Sequence, residues 1–183
     1  MSTDERFPSK RPRPNPEVSE SIQLEDVLIT EELARRIPCE DASRTPRQPN
    51  LQAENQAMRS LAHQLAQAPE QMLQRLVNLA VELCDAGTAG VSLAETRTDG
   101  KKVFRWVAMA GELASHMGDC VPYECCPCGI CLDQQVPLLF SHPERYFTRF
   151  QQVGVPLVES LVLPLIAEGQ ALGTIWIMTH DQQ

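Results

Sequence analysis

The strongest hydrophobic pattern lies toward the C-terminal end of the chain. Leu161-Val162-Leu163-Pro164-Leu165-Ile166 and Ala171-Leu172-Gly173-Thr174-Ile175-Trp176-Ile177-Met178 are apolar, β-branched runs separated by Ala167-Glu168-Gly169-Gln170. Two such runs joined by a short polar turn with Gly predict a β-hairpin buried on at least one face. Further upstream, Ala89-Gly90-Val91-Ser92-Leu93 alternates so that Ala89, Val91 and Leu93 point inward from a strand. Thr98-Asp99-Gly100-Lys101 is a turn signal, and Val103 to Met109 a second strand. Ahead of these strands the period becomes helical. Leu51, Met58, Leu61, Ala62 and Leu65 fall on one stripe of a helix over Leu51–Gln67. Pro69 and Glu70 suit the start of the next helix, because Pro forfeits only an N–H left unpaired there and Glu meets the positive dipole end. That helix runs to Cys84 with Met72, Leu73, Leu76, Val77, Ala80, Leu83 and Cys84 toward the core, and Asp85-Ala86-Gly87 ends it.

The first fifty residues differ. Residues 1–20 carry Pro8, Pro12, Pro14 and Pro16 with few large apolar groups, which predicts disorder, since too little surface can be buried to offset the ordering entropy. Residues 21–36, with Ile22, Leu24, Val27, Leu28 and Ile29, fit a single helix or a docking segment, and Pro38 to Pro49 reads as linker. The predicted division is therefore a tail and linker over 1–50, a linker helix over 51–68 and a folded domain over 69–183. Helix, strand, turn, strand, long loop and hairpin is an α+β order with an antiparallel β-sheet flanked by helices. It has no alternating β-α-β series and no glycine-rich phosphate loop.

Composition narrows the function classes. Hydrophobic residues make up 43% of 183, enough for one packed domain and a tail. No apolar run approaches the roughly 20 residues that span a bilayer. Met1 to Arg6 lacks the apolar stretch of a secretory signal, so the expected compartment is cytoplasmic, without membrane partners. Sixteen basic against twenty-four acidic residues, net −8, argue against nucleic acid as a partner, because phosphate binding needs an excess of Lys and Arg. Lys10, Arg11 and Arg13 read as a solvated tail.

From about Pro69 to His180 this order resembles a GAF domain, a small ligand-sensing module. Leu28 to Arg36, Leu51 to Met58, Pro127-Cys128-Gly129-Ile130-Cys131-Leu132-Asp133, Pro143-Glu144-Arg145-Tyr146-Phe147 and Gly173-Thr174-Ile175-Trp176 are similar to stretches of the N-terminal GAF modules of bacterial sensor histidine kinases. The resemblance implies a non-catalytic regulatory domain of bacterial signal transduction, in a two-component system, that binds a small-molecule ligand and answers to a signalling partner protein. It places the pocket between the sheet and the segment from Gly111 to Pro156. The pocket residues it implies are Trp106, His116, Cys128, Cys131, Arg145, Tyr146 and Trp176. Two departures follow. A long helix normally follows the last strand of such domains and is missing from this sequence, which predicts homodimerisation through the N-terminal helices, pairing with Leu51–Gln67, or reduced stability. The kinase transmitter is missing as well: His63-Gln64 lacks an acidic neighbour, and no ATP-binding glycine motif is found.

Five of the seven cysteines crowd into one stretch as Cys120, Cys125, Cys126, Cys128 and Cys131. Without an export signal they are expected to be reduced. Plain packing is one reading. A second is redox chemistry, with Pro127-Cys128-Gly129 opening a short helix that reaches Asp133 and favours a thiolate at Cys128. A third is an iron–sulfur cluster or zinc, since Cys128 and Cys131 have chelating spacing, although no second distant C-x-x-C pair is present. A bilin is disfavoured because no cysteine precedes His, and the Gly-x-Cys-Gly stretch of GAF-fold sulfoxide reductases is not matched.

Overall fold

In a computed structural model of the chain, the described residues are the strand Val27–Ile29 and residues 48–181 except Thr148. The expected disordered tail and most of the linker lie outside them. The elements are β1 (Val27–Ile29), α1 (Leu51–Gln67), α2 (Met72–Cys84), β2 (Thr88–Thr96), β3 (Lys102–Gly111), β4 (Cys120–Pro122), α3 (Pro127–Gln134), β5 (Leu138–Ser141), β6 (Glu159–Ala167) and β7 (Gln170–Thr179). All seven strands form one antiparallel sheet in the order β1-β5-β6-β7-β2-β3-β4. This is the α+β architecture expected. Among the described residues no helix follows β7, and none is long and apolar enough to cross a membrane.

The closing hairpin turns through Glu168 and Gly169, with φ of 51° and 76°. Positive φ at both central residues matches the right-handed twist of the flanking strands. Ala167 then pairs with Gln170 and Ile166 with Ala171, the register shifts by one at Leu172, and from Leu165↔Gly173 it runs to Glu159↔Thr179. Both faces of the central sheet are covered. On one face Ala89, Val91, Ala108 and Ala110 pack with Val77 of α2. On the other, Phe104, Trp106, Val162, Trp176 and Met178 pack with Cys128, Cys131 and Leu132 of α3. Along β3 the change of face is made by a bulge: Val91 pairs with Ala108 but Ser92 with Trp106, leaving Val107 as the extra residue. Without it Trp106 and Ala108 would share a face.

Helix α1 starts on Asn50, whose Oδ1 accepts from the Ala53 amide at 3.1 Å. It lies beside α2, with Ala57 buried and Arg75 Nε donating to Ser60 Oγ at 2.9 Å. Pairing of the second helix with Leu51–Gln67 is thus the arrangement found. The side presented to α2 is not the expected stripe. Leu51, Met58 and Leu65 are 66%, 67% and 55% exposed, while Leu61 is half-buried. On α2, Cys84 is exposed instead of buried, and Leu79 is buried in the core. Asp85 then ends the helix in the left-handed conformation (φ 54°).

The expected loop from Gly111 to Pro156 contains β4, α3 and β5, joined by 3-10 turns. These strands are three and four residues long, too short to show a period. In the 21–36 stretch, Val27–Ile29 is a strand instead of a helix and completes the outer edge of β5. The rest of that stretch lies outside the described residues.

Candidate ligand site

The site is organised by the first turn of α3. Cys126 is extended (φ −147°, ψ 157°), and Pro127 opens the helix, where its missing N–H costs nothing. Gly129 follows because a Cβ there would lie 2.2 Å from the Tyr123 carbonyl oxygen. The far end of α3 is tied to the preceding turn by Tyr123, whose hydroxyl donates to Asp133 Oδ1 at 3.0 Å while its ring stacks on Phe104. Burial, followed by the Asp133 charge, raises the Tyr123 pKa and keeps that hydroxyl a donor.

Between the α3 N-terminus and the sheet is a cavity of about 10 Å³, room for one water-sized body. Its wall comprises Trp106 of β3, Cys126, Pro127 and Cys128 at the start of α3, Phe150, Ser160 and Val162 of β6, and Trp176 and Met178 of β7. The two indoles meet edge to face at 6.0 Å. Trp176 Nε1 donates to Ser92 Oγ at 2.8 Å, and Ser92 Oγ lies 3.9 Å from Cys128 Sγ. Gly90 makes this possible, since a Cβ on it would come within 2.3 Å of the Trp176 ring. Two fully buried hydroxyls on this face, Ser160 Oγ and Thr174 Oγ1, have no hydrogen-bond partner, and Ser160 belongs to the cavity wall. A buried hydroxyl left unpaired costs on the order of 1–3 kcal/mol, so each is a standing invitation to an acceptor.

The cysteines differ sharply in surroundings. Neighbouring side chains, Cys126 foremost, lower the Cys128 pKa against the opposing effect of burial, while the Cys126 thiol itself points to the Tyr123 carbonyl at 3.9 Å. Burial pushes the Cys126 thiol well up. Burial, helped by the nearby Cys128, pushes Cys131 up to about 12. Cys131 Sγ donates between the Val136 and Val162 carbonyls, at 3.3 and 3.5 Å, away from the cavity. Cys120 is exposed on β4. Cys125, Cys126, Cys128 and Cys131 are thus buried in one core cluster with Cys120 apart on the surface, and among the described residues no three His, Cys, Asp or Glu side chains are placed to hold a metal ion.

Of the expected pocket residues, Trp106, Cys128 and Trp176 line the cavity; His116, Cys131, Arg145 and Tyr146 do not. His116 sits in a 3-10 turn, its ring edge-on to Trp106 and its Nδ1 3.2 Å from Asp119 Oδ2, which also accepts from Arg149. Arg145 is exposed, and Tyr146 is core. Ser160, Val162 and Met178 were missed, although a signal existed: read with period two, Ser160 and Val162 share a face, and Ser160 is the polar residue within it.

A model of the GAF domain family matches residues 66–183. The chain belongs to the GAF domain family, whose members are small-molecule-binding regulatory domains of signalling proteins. Comparison with curated proteins gave no match. Among solved structures it is similar to the GAF domain of a phosphoenolpyruvate-protein phosphotransferase from Coxiella burnetii, with a TM-score of 0.60 at 18% identity over 73% of this chain and 81% of that one. The corresponding GAF domain from Acinetobacter gives 0.57 at 12% identity over 74% and 81%. The phycocyanobilin-bound GAF domain of a cyanobacterial phytochrome gives 0.54 at 13% over 71% and 81%. Identities this low speak for the fold.

Proposed function

We propose that this chain is a non-catalytic sensory domain of bacterial signal transduction, folded over 69–183 behind the helix of 51–68. Its ligand is a small molecule held at the start of α3. The observation that carries this reading is the cavity there, with the fully buried, unpartnered Ser160 Oγ in its wall and Thr174 Oγ1 on the same sheet face. Hydroxyl donors, the positive end of α3 and two indoles suit a compact acceptor-rich group such as a small oxyanion. An occupant larger than water displaces Phe150, which is carried on a short turn, not on a strand. Such movement is a route from binding to a signalling partner.

Thermal unfolding with nitrate, formate and acetate tests this. At a hundredfold excess over Kd a bound anion adds about 2.7 kcal/mol of stability. The effect should vanish in Ser160→Ala. It should also weaken with rising pH, because an ionised Cys128 competes for the same helix end. No stabilisation by any of the three, or equal stabilisation of Ser160→Ala, refutes the site. The outward row Leu51, Met58 and Leu65 supports a homodimer through α1; sedimentation showing a monomer at all accessible concentrations removes that part of the reading.

A further inference from the structure

We propose that the Arg149–Asp119 ion pair is a releasable latch on the cavity: closed, it holds Phe150 against the indoles, and open, it admits a body larger than water. The inference rests on the cavity being the ligand site only for the use that the latch serves. The closure itself is tested without a ligand.

One wall differs from the rest in how it is held. Trp106, Ser160, Val162, Trp176 and Met178 stand on paired strands, and Cys126 to Cys128 form the start of α3. Phe150 belongs to a three-residue 3-10 turn, Phe150–Gln152, outside the sheet. Gly154 follows at φ 78°, with open space where a side chain would be, and supplies a joint. Phe150 is nevertheless only 4% exposed, so the turn is held down. Its ring meets Phe147 edge to face at 6.1 Å, and the Gln151 amide donates to the Glu144 carbonyl at 3.0 Å, both within one short stretch of chain. The tie that reaches across thirty residues of chain is made by Arg149, next to Phe150, whose Nη2 donates to Asp119 Oδ2.

Asp119 is the fixed end of the latch. The Trp106 N–H donates to its carbonyl at 3.0 Å, and its own N–H donates to the His116 carbonyl at 3.1 Å. His116 Nδ1 donates to the same carboxylate oxygen at 3.2 Å, while the ring rests edge-on against Trp106 with centroids 6.2 Å apart. The ion pair therefore joins the strand that bears Trp106 to the turn that bears Phe150, two walls of one cavity. Its strength suits release. The two side chains are 37% and 39% exposed, and a pair so open to solvent shifts an equilibrium by no more than roughly fivefold. With the pair made, the space takes one water-sized body. With it broken, the turn swings on Gly154 and the indoles face a wider opening. Entry is then governed by Asp119 and Arg149, which need not touch the ligand.

The chain's two tryptophans, Trp106 and Trp176, both line the cavity and are 3% and 2% exposed, so their fluorescence reports its opening. The probe is acrylamide, an uncharged quencher several times the size of water and too large for the closed space. Asp119→Asn and Arg149→Gln should each raise the quenching constant of the full chain roughly two- to fivefold, the span an exposed pair commands. The double variant should do no more than either single one, since both remove the same contact. In the wild type, potassium chloride at about 1 M should give a similar rise, because charges are then screened within about 3 Å, and the variants should not respond. Glu95→Gln breaks the separate exposed pair with Arg105 and should leave quenching as it is. Unchanged quenching in Asp119→Asn and Arg149→Gln, additive effects in the double variant, an equal rise in Glu95→Gln, or a wild type indifferent to salt overturns the latch. The wild-type salt series decides the matter even where a variant fails to fold. Failure of nitrate, formate and acetate to stabilise the protein would remove the ligand reading and leave this result standing, so the two are separable.

Discussion

Replacing Gly90 with alanine is expected to destabilise the fold by about 3 kcal/mol, at the upper end of the usual cost of overpacking a core. The added methyl would sit 2.3, 2.6 and 2.7 Å from three carbons of the Trp176 ring. The ring has nowhere to retreat. Its Nε1 is bonded to Ser92 Oγ, its edge meets Trp106, and its residue is only 2% exposed. Urea unfolding followed by circular dichroism reads the loss directly. A double-mutant cycle with Trp176→Phe localises it: the smaller ring should recover part of the loss, giving a coupling of opposite sign to the single costs. An unchanged urea midpoint for Gly90→Ala would mean that the indole does not lie across β2.

Trp176→Ala should cost roughly 3–5 kcal/mol, the usual range for emptying a buried aromatic site. It removes one wall of the cavity and takes from Ser92 Oγ the donor that occupies it. Trp176→Phe retains most of the apolar contact but not the N–H, so it should lose clearly less stability. The two substitutions thus separate packing from hydrogen bonding. Since Trp106 is then the remaining one of two tryptophans, its fluorescence should shift red as water enters the enlarged space. A Trp176→Ala protein with wild-type stability and an unshifted Trp106 spectrum would remove the indole from the core.

How far the site was legible depended on the length of each pattern. The β6–β7 hairpin and α1 were readable because their runs are long enough for one period to dominate and their ends carry a Gly turn or an Asn cap. Trp106, Cys128 and Trp176 were placed near a pocket by the resemblance to GAF domains, and they do line the cavity. His116, Arg145 and Tyr146 looked equivalent by residue type. What separates them from the cavity is a series of 3-10 turns, whose few residues leave no periodic trace. The stripe on α1 failed for another reason. Periodicity identifies an apolar face but not its neighbour, and here Ala57 sets the contact with α2 while Leu51, Met58 and Leu65 look outward. The cysteine cluster misled in the same way: nearness in sequence fixed neither the direction of Cys131 nor the exposure of Cys120.

The short strand β1 bears on the order of folding. Val27 pairs with Phe140 across more than a hundred residues of chain, and the ladder is three residues long. A contact this distant is slow to close, and so short a ladder returns little for the entropy of closure. It also lies outside residues 66–183, which match the family, and the other six strands pair without it. β1 is therefore the last strand to arrive and the first to leave, and in that interval the outer backbone of β5 is an unpaired edge, open to strands of other chains. Paired in place, Val27–Ile29 takes up that edge and denies it to a second chain.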